Sequence, residues 1–192
     1  MTTRLQDGAT AKLLHWLIVA LLVVQYAIGW LMPGIHRGMK PGVGMAFHMS
    51  VGVMILTLIV LRLAWRLTHP VDPESSLPLW QRLGSQAVHW LLYVLVLMTT
   101  LTGWLFASFH GWSVAFFELF PLPMLASANA AAGHAINGLH QVMLWTLLGF
   151  VSLHVLAALA HLLIYRDRVM QRMLPGRFPV AIPVKPRLAD KA

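Results

Sequence analysis

Four stretches of this 192-residue chain are each long and apolar enough to cross a bilayer, and none of them contains an Asp or a Glu. They are 13–32 (LLHWLIVALLVVQYAIGWLM), 45–67 (MAFHMSVGVMILTLIVLRLAWRL), 83–107 (LGSQAVHWLLYVLVLMTTLTGWLFA) and 139–165 (LHQVMLWTLLGFVSLHVLAALAHLLIY). A hydrocarbon core of about 30 Å takes roughly 20 residues of helix. Lipid admits only segments that satisfy their own backbone hydrogen bonds. The fold these runs dictate is all-α, an integral membrane four-helix bundle. Composition agrees, with 10% charged residues against about 25% in soluble domains. The first run is too long for a signal-peptide core, and no small-residue cleavage pattern follows it, so it reads as a retained helix.

The bundle is expected to occupy residues 1–174, followed by a basic, Pro-rich tail over 175–192. The region 111–136 is apolar but holds Glu118, two prolines and an Asn, so it reads as part of a loop, 108–138, on or near the membrane. A net charge of +8 would suggest nucleic acid in a soluble protein. Here it reads as topology, and no nucleic-acid partner is expected. Arg4, Lys12, Arg62, Arg66, Arg82 and the seven Lys and Arg from Arg166 onward fall on one side of the bundle. Only Arg37 and Lys40 fall on the other. The positive-inside rule then puts both termini and the 68–82 loop in the cytoplasm, with 33–44 and 108–138 outside. Trp16, Trp30, Trp65, Trp90 and Trp104 lie near span ends, as an interfacial aromatic belt would.

With no cysteine, the chain forms no disulfide, thiolate metal site, iron–sulfur cluster or covalently attached haem. It has 10 histidines instead. Four of them, His36, His69, His110 and His134, fall in loops or at their edges. Six fall within spans: His15, His48, His89, His140, His154 and His161. An ionisable side chain in a membrane helix points to function. The lack of carboxylates in the spans weakens a proton relay or a metal transporter. At about 1.5 Å per residue, His48 and His140 share a level near the outer ends of their helices. His15 and His89 lie toward the cytoplasmic end, with His154 about 5 Å from the middle on that side and His161 about 15 Å out. His140 and His154 are 14 residues apart, about 21 Å along the axis and within about 40° of one face. Imidazoles from two helices can clamp a haem between them. His48 with His140 makes a defined outer pair. For the inner pair, His15 has His154 or His161 as partner on depth, and His89 is also eligible.

The motifs LLHWLIVALLVVQY, MAFHMSVGVMILTLIVLRLAWR, AVHWLLYVLVLMTTLTGW and LHQVMLWTLLGFVSLHVLAALAHLLIYRDRVMQRMLP resemble those of the bacterial cytochrome b561 family over about residues 5–175. These are four-helix cytochromes of the bacterial inner membrane that hold two non-covalent b haems. The resemblance implies that His15 and His154 ligate the cytoplasmic-side haem, and His48 and His140 the periplasmic-side haem. It also makes His161 a candidate for a quinone site or for contacts around the inner haem.

Haem propionates want cationic partners. Arg62 and Arg66, four residues apart on one face, are candidates at the inner level. Gly52, four residues from His48, is a candidate for relieving crowding beside a porphyrin. Arg37 and Lys40 could steer an anionic donor to the outer face. Family members of this size include oxidoreductases that take electrons from superoxide and reduce ubiquinone. The resemblance makes that the leading expectation. The alternative is a redox subunit that relays electrons between quinone and a dehydrogenase or another partner protein, with 108–138 as its docking surface.

Overall fold

The computed structural model describes residues 8–32, 34, 39–70, 78–166 and 169–174. Arg37 and the tail 175–192 lie outside the described residues. Four long helices dominate: α1 (Ala9–Leu31), α2 (Val43–Thr68), α3 (Leu79–Phe109) and α4 (Ala130–Ala160). Each is long and apolar enough to cross a membrane. At about 1.5 Å per residue even α1, with 23 residues, exceeds a 30 Å hydrocarbon core. The molecule is an all-α bundle of membrane-spanning helices.

The two later helices are longer than hydropathy alone suggests. α4 begins at Ala130, so residues 130–138 are helical and only the first part of the expected 108–138 loop is a loop. The reason is local. Ala130–Ala132 are strong helix formers too weakly hydrophobic to extend a span. Asn129 is the cap that starts the helix, its side chain accepting the Ala132 N–H at 3.1 Å. At its other end α4 continues into a π-helical turn, His161–Tyr165, closed by a left-handed Arg166.

Between α3 and α4 the chain forms a short antiparallel ribbon, β1 (Ala115–Phe116) with β2 (Phe120–Pro121). Its turn is closed by Leu119 N–H donating to the Phe116 carbonyl at 2.9 Å. Phe117 and Glu118 at its centre have φ of 46° and 60°. Such a turn normally uses Gly or Asn, and a non-glycine residue there costs about 1–3 kcal/mol. Ser50 of α2 holds it: its buried Oγ accepts the Phe117 N–H at 3.0 Å and lies 3.0 Å from the Ala115 carbonyl. Buried Ser108 of α3 accepts the Leu125 N–H at 3.1 Å, and Trp112 donates to the Met39 carbonyl at 3.1 Å. The loop is thus strapped over one end of the bundle, above a cluster of Met45, Phe106, Ala107, Trp112 and Val114. We call this the loop end. The opposite end carries Lys12, Arg62 and Arg66 and is the basic end.

Close packing joins α1 to α2, α2 to α3 and, most extensively, α3 to α4, whereas α1 and α2 are not closely packed on α4. Only 6% of the apolar windows of α1 and α4 is buried in protein, against 33% for α3. The bundle therefore has an open side between α1/α2 and α4. The mid-depth core is Ile18, Val51, Ile55, Ile59, Leu95, Val96 and Leu147. Leu147 is seven residues from both His140 and His154, so this apolar layer separates two histidine levels.

Candidate functional site

At the loop end, α4 presents His140 to α3. Its Nδ1–H donates to the Thr99 carbonyl at 3.0 Å. The Thr102 hydroxyl oxygen lies 3.2 Å from the same nitrogen. That hydroxyl directs its own proton at the Met98 or Thr99 carbonyl, 2.8 and 2.9 Å away, so toward His140 it acts as acceptor. The imidazole is fixed as the Nδ1–H tautomer with the Nε2 lone pair free. That is how metal-binding histidines are commonly held. Gly103 makes room for the ring, because a Cβ there would sit 3.1 Å from His140 Cε1.

His48, near the start of α2, is held from α1. The Gln25 amide Nε2 lies 3.0 Å from His48 Nε2 and donates also to the His48 carbonyl at 3.1 Å. An amide nitrogen only donates, so His48 Nε2 accepts and this ring too carries its proton on Nδ1. That Nδ1 and Gln25 Oε1 are buried polar atoms with no protein partner among the described residues. Buried orphans of this kind are costly and mark a place where a further polar group belongs. A Cβ at Gly52 would sit 3.6 Å from the Gln25 amide nitrogen, an ordinary contact, so this glycine borders the amide.

At the basic end, three rings meet. The centroids of His15 on α1 and His154 on α4 are 6.4 Å apart, with planes at 80°. His89 of α3 lies 5.2 Å from His154. Two imidazoles on opposite sides of one metal, each bonded at about 2.0 Å, have centroids roughly 6 Å apart. The His15–His154 separation fits that arrangement, and His89–His154 is too close for it. Arg62 lies within electrostatic reach of all three histidines. Its Nη1 donates to the Ala11 carbonyl at 2.6 Å, anchoring the cation beside the ring cluster. The basic end thus offers a ring pair spaced for a haem, whereas at the loop end His140 has a free Nε2 and His48 has its Nε2 engaged by Gln25.

The other sequence candidates fall around this frame. Lys40 is exposed at the loop end, beside the Met39 carbonyl that Trp112 holds. His161 opens the π-helical turn, 5.2 Å from the Tyr165 ring. π-Helical turns occur preferentially at functional sites. Past that turn the chain folds back over the basic end. Trp16 donates to the Met173 carbonyl at 2.8 Å, and Lys12 to the Leu174 carbonyl at 3.2 Å. Trp104 donates to the Pro123 carbonyl at 3.2 Å, so two of the five belt tryptophans also bind the protein's own backbone. His110 is not simply a loop residue: its Nδ1–H donates to the Phe106 carbonyl, and its ring fills the space left by Gly133.

Sequence reasoning missed Gln25, Thr99, Thr102 and Gly103. The signal for the last three was the polar run TTLTG inside an otherwise apolar span. Tyr26 was missed as well. Its hydroxyl donates to the Leu144 carbonyl at 2.7 Å and ties α1 to α4 across the open side.

The sequence profile of prokaryotic cytochrome b561 matches residues 8–176. Cytochrome b561 homolog 2 of Escherichia coli (strain K12) is 28% identical over 172 residues, covering 87% of this chain and 90% of the relative. The probable superoxide oxidase CybB of Yersinia pestis is 28% identical over 165 residues, covering 85% and 93%. Cytochrome b562 of Cereibacter sphaeroides is 27% identical over 170 residues, covering 85% and 92%. With its four apolar helices and its intramembrane histidines, the chain belongs to the prokaryotic cytochrome b561 family of haem-binding, electron-transferring membrane proteins.

Proposed function

We propose that the protein is a di-haem superoxide:ubiquinone oxidoreductase of the inner membrane, with its termini and its basic end in the cytoplasm. The observation that carries the haem reading is the His15–His154 separation of 6.4 Å, set between helices that are not closely packed. His15 and His154 would hold the inner haem, and His140 with His48, once the Gln25 amide releases the His48 Nε2, the outer one. Bis-imidazole haem, when bound, supplies one-electron outer-sphere transfer and leaves no open iron position for oxygen chemistry. The superoxide reading draws on the relative described as a probable superoxide oxidase and on the placement of Arg37 and Lys40. Arg37 itself lies outside the described residues.

In this reading Arg37 and Lys40 raise the local concentration of the anion at the outer face. Each superoxide gives up one electron and leaves as dioxygen. Two electrons and two protons convert one ubiquinone to ubiquinol. Leu147, Ile55 and their neighbours keep water out of the space between the two levels. Arg62 would hold a propionate of the inner haem, and Gly52 would relieve crowding beside the outer one. His161, at the cytoplasmic end of α4, binds a quinone oxygen and passes it a proton.

A second reading, an electron relay between quinone and a dehydrogenase or other partner protein, is favoured by one feature. The ribbon holds Leu119 and Phe120 exposed on a rigid, strained turn, as a docking surface would. Superoxide supplied to purified protein with a soluble ubiquinone separates the two. Ubiquinol formation by the protein alone, slowed severalfold by salt and by Lys40→Glu, supports the oxidase. No reduction without a partner protein sinks it in favour of the relay. A reduced-minus-oxidised spectrum without b-type bands would end both.

A further inference from the structure

α3 supplies no member of either proposed ligand pair, yet it is the helix packed most closely on α4, which supplies two. From its contacts with His140 we infer that Thr102 and Gly103 are positioning residues that set the reduction potential of the outer haem. The inference rests on His140 being an axial ligand.

The geometry is specific. The His140 Nδ1–H is shared between the Thr99 carbonyl at 3.0 Å and the Thr102 hydroxyl at 3.2 Å. The carbonyl is backbone and cannot be removed by substitution, so the hydroxyl is the adjustable half of the cradle. An acceptor on the far nitrogen of a ligating imidazole makes it a stronger donor to the metal. A stronger donor favours the oxidised, more positive iron and lowers the potential. Thr102 is buried, and its own proton is bound by α3 carbonyls, so its lone pair faces His140 in a fixed direction. Gly103 controls the other variable, the ring plane. A Cβ at Gly103 would lie 3.1 Å from His140 Cε1, so the ring would have to give by a few tenths of an ångström. At the basic end His154 meets other rings instead, so the effect is confined to one haem.

The test is potentiometric titration of the haem absorption bands in the purified holoprotein, with low-temperature EPR of the oxidised state. Thr102→Val keeps the shape and loses the acceptor. One of the two haem transitions moves upward by about threefold in its reduction equilibrium, about 30 mV at 59 mV per tenfold for one electron. The other transition stays in place. Thr102→Ser, which keeps the hydroxyl, restores the parent potential. Gly103→Ala shifts the low-spin g values of the same haem, because they report the relative planes of the two axial rings. The His140→Ala variant tests the underlying reading, and it loses one haem. If it keeps both haems, the ligand assignment fails and the inference with it. If it loses one while Thr102→Val leaves both potentials in place, or moves both equally, the inference alone is overturned.

Discussion

The two histidine levels are built in different ways. At the loop end each ring is gripped by a protein group: His140 by the Thr99 carbonyl and Thr102 hydroxyl, His48 by the Gln25 amide. His140 is left with a free Nε2, whereas His48 must exchange its Gln25 bond before that nitrogen can ligate. At the basic end His15, His89 and His154 face one another beside the Arg62 cation, with His89 also tied to the Ser85 backbone and His15 edge-on to Trp16. The loop end is preorganised by hydrogen bonds. The basic end is an imidazole-rich cluster with one ring more than a bis-histidine haem requires. Preorganisation lowers the cost of binding and narrows the accepted geometry. A surplus ligand does the reverse and tolerates the loss of one.

The largest expected effect breaks this comparison at its base. His140→Ala leaves the Thr99 carbonyl and Thr102 hydroxyl facing a hole, with no other imidazole shown beside them. The haem-to-protein ratio then falls to about half that of the parent by the pyridine haemochrome assay, on the bis-histidine logic. His154→Ala is expected to fall less. His89, whose ring lies 5.2 Å from the one removed, takes its place with a shifted absorption band. Adding His89→Ala to His154→Ala removes the remaining inner haem. Equal losses from His140→Ala and His154→Ala would erase the distinction between the levels.

The same contrast marks what could be read from the sequence. The four-helix bundle was legible because lipid enforces it on any chain with these apolar runs. The His140–His154 relation was legible because both lie on one helix, where 14 residues bring the face round again. Partners across helices were not. Whether His15 meets His154 or His161, and whether His89 joins them, depends on how far each helix is rotated, which spacing along one helix does not fix. The resemblance pointed to His15, and the rings are indeed close, yet His89 stands closer still. The partner of Gln25, and the ring that the visible TTLTG run of α3 faces, were hidden for the same reason. The ribbon was missed because its left-handed turn is occupied by Phe117 and Glu118 rather than Gly or Asn. The early start of α4 was missed because Glu118, the prolines and Asn129 made the whole of 111–136 read as loop, although Asn129 before a run of alanines is a helix start.

A smaller effect is expected between the levels. Leu147 is 1% exposed and packs in the layer that separates the two histidine sets. Leu147→Ala opens a cavity there. In lipid the transfer part of the usual loss is largely absent, because acyl chains are as apolar as leucine. About 1–3 kcal/mol of packing remains out of the 2–5 typical of soluble cores. Thermal loss of haem absorbance should move to lower temperature for both haems together. A shift of one haem alone would show that the layer belongs to one level rather than dividing two.

The smallest effect lies at the basic end, where the chain after α4 returns across α1. Trp16→Phe keeps most of the ring and removes only the N–H that binds the Met173 carbonyl at 2.8 Å. A single hydrogen bond at an exposed position is worth about 0.5–1.5 kcal/mol. Lys12 still holds Leu174, so the segment is loosened rather than released. Faster amide exchange over residues 169–174 is therefore expected, while the spans stay protected. The inner haem's spectrum and potential should change little, because Phe keeps an aromatic ring at the edge of His15, where the Trp16 ring now lies 5.6 Å away. The loop end offers the matching control. Trp104→Phe removes the bond to the Pro123 carbonyl and should loosen the 111–129 loop by a similar amount. If Trp16→Phe also moves the inner haem's potential, the folded-back segment is part of that haem's environment, and the basic end is more preorganised than its ring contacts indicate.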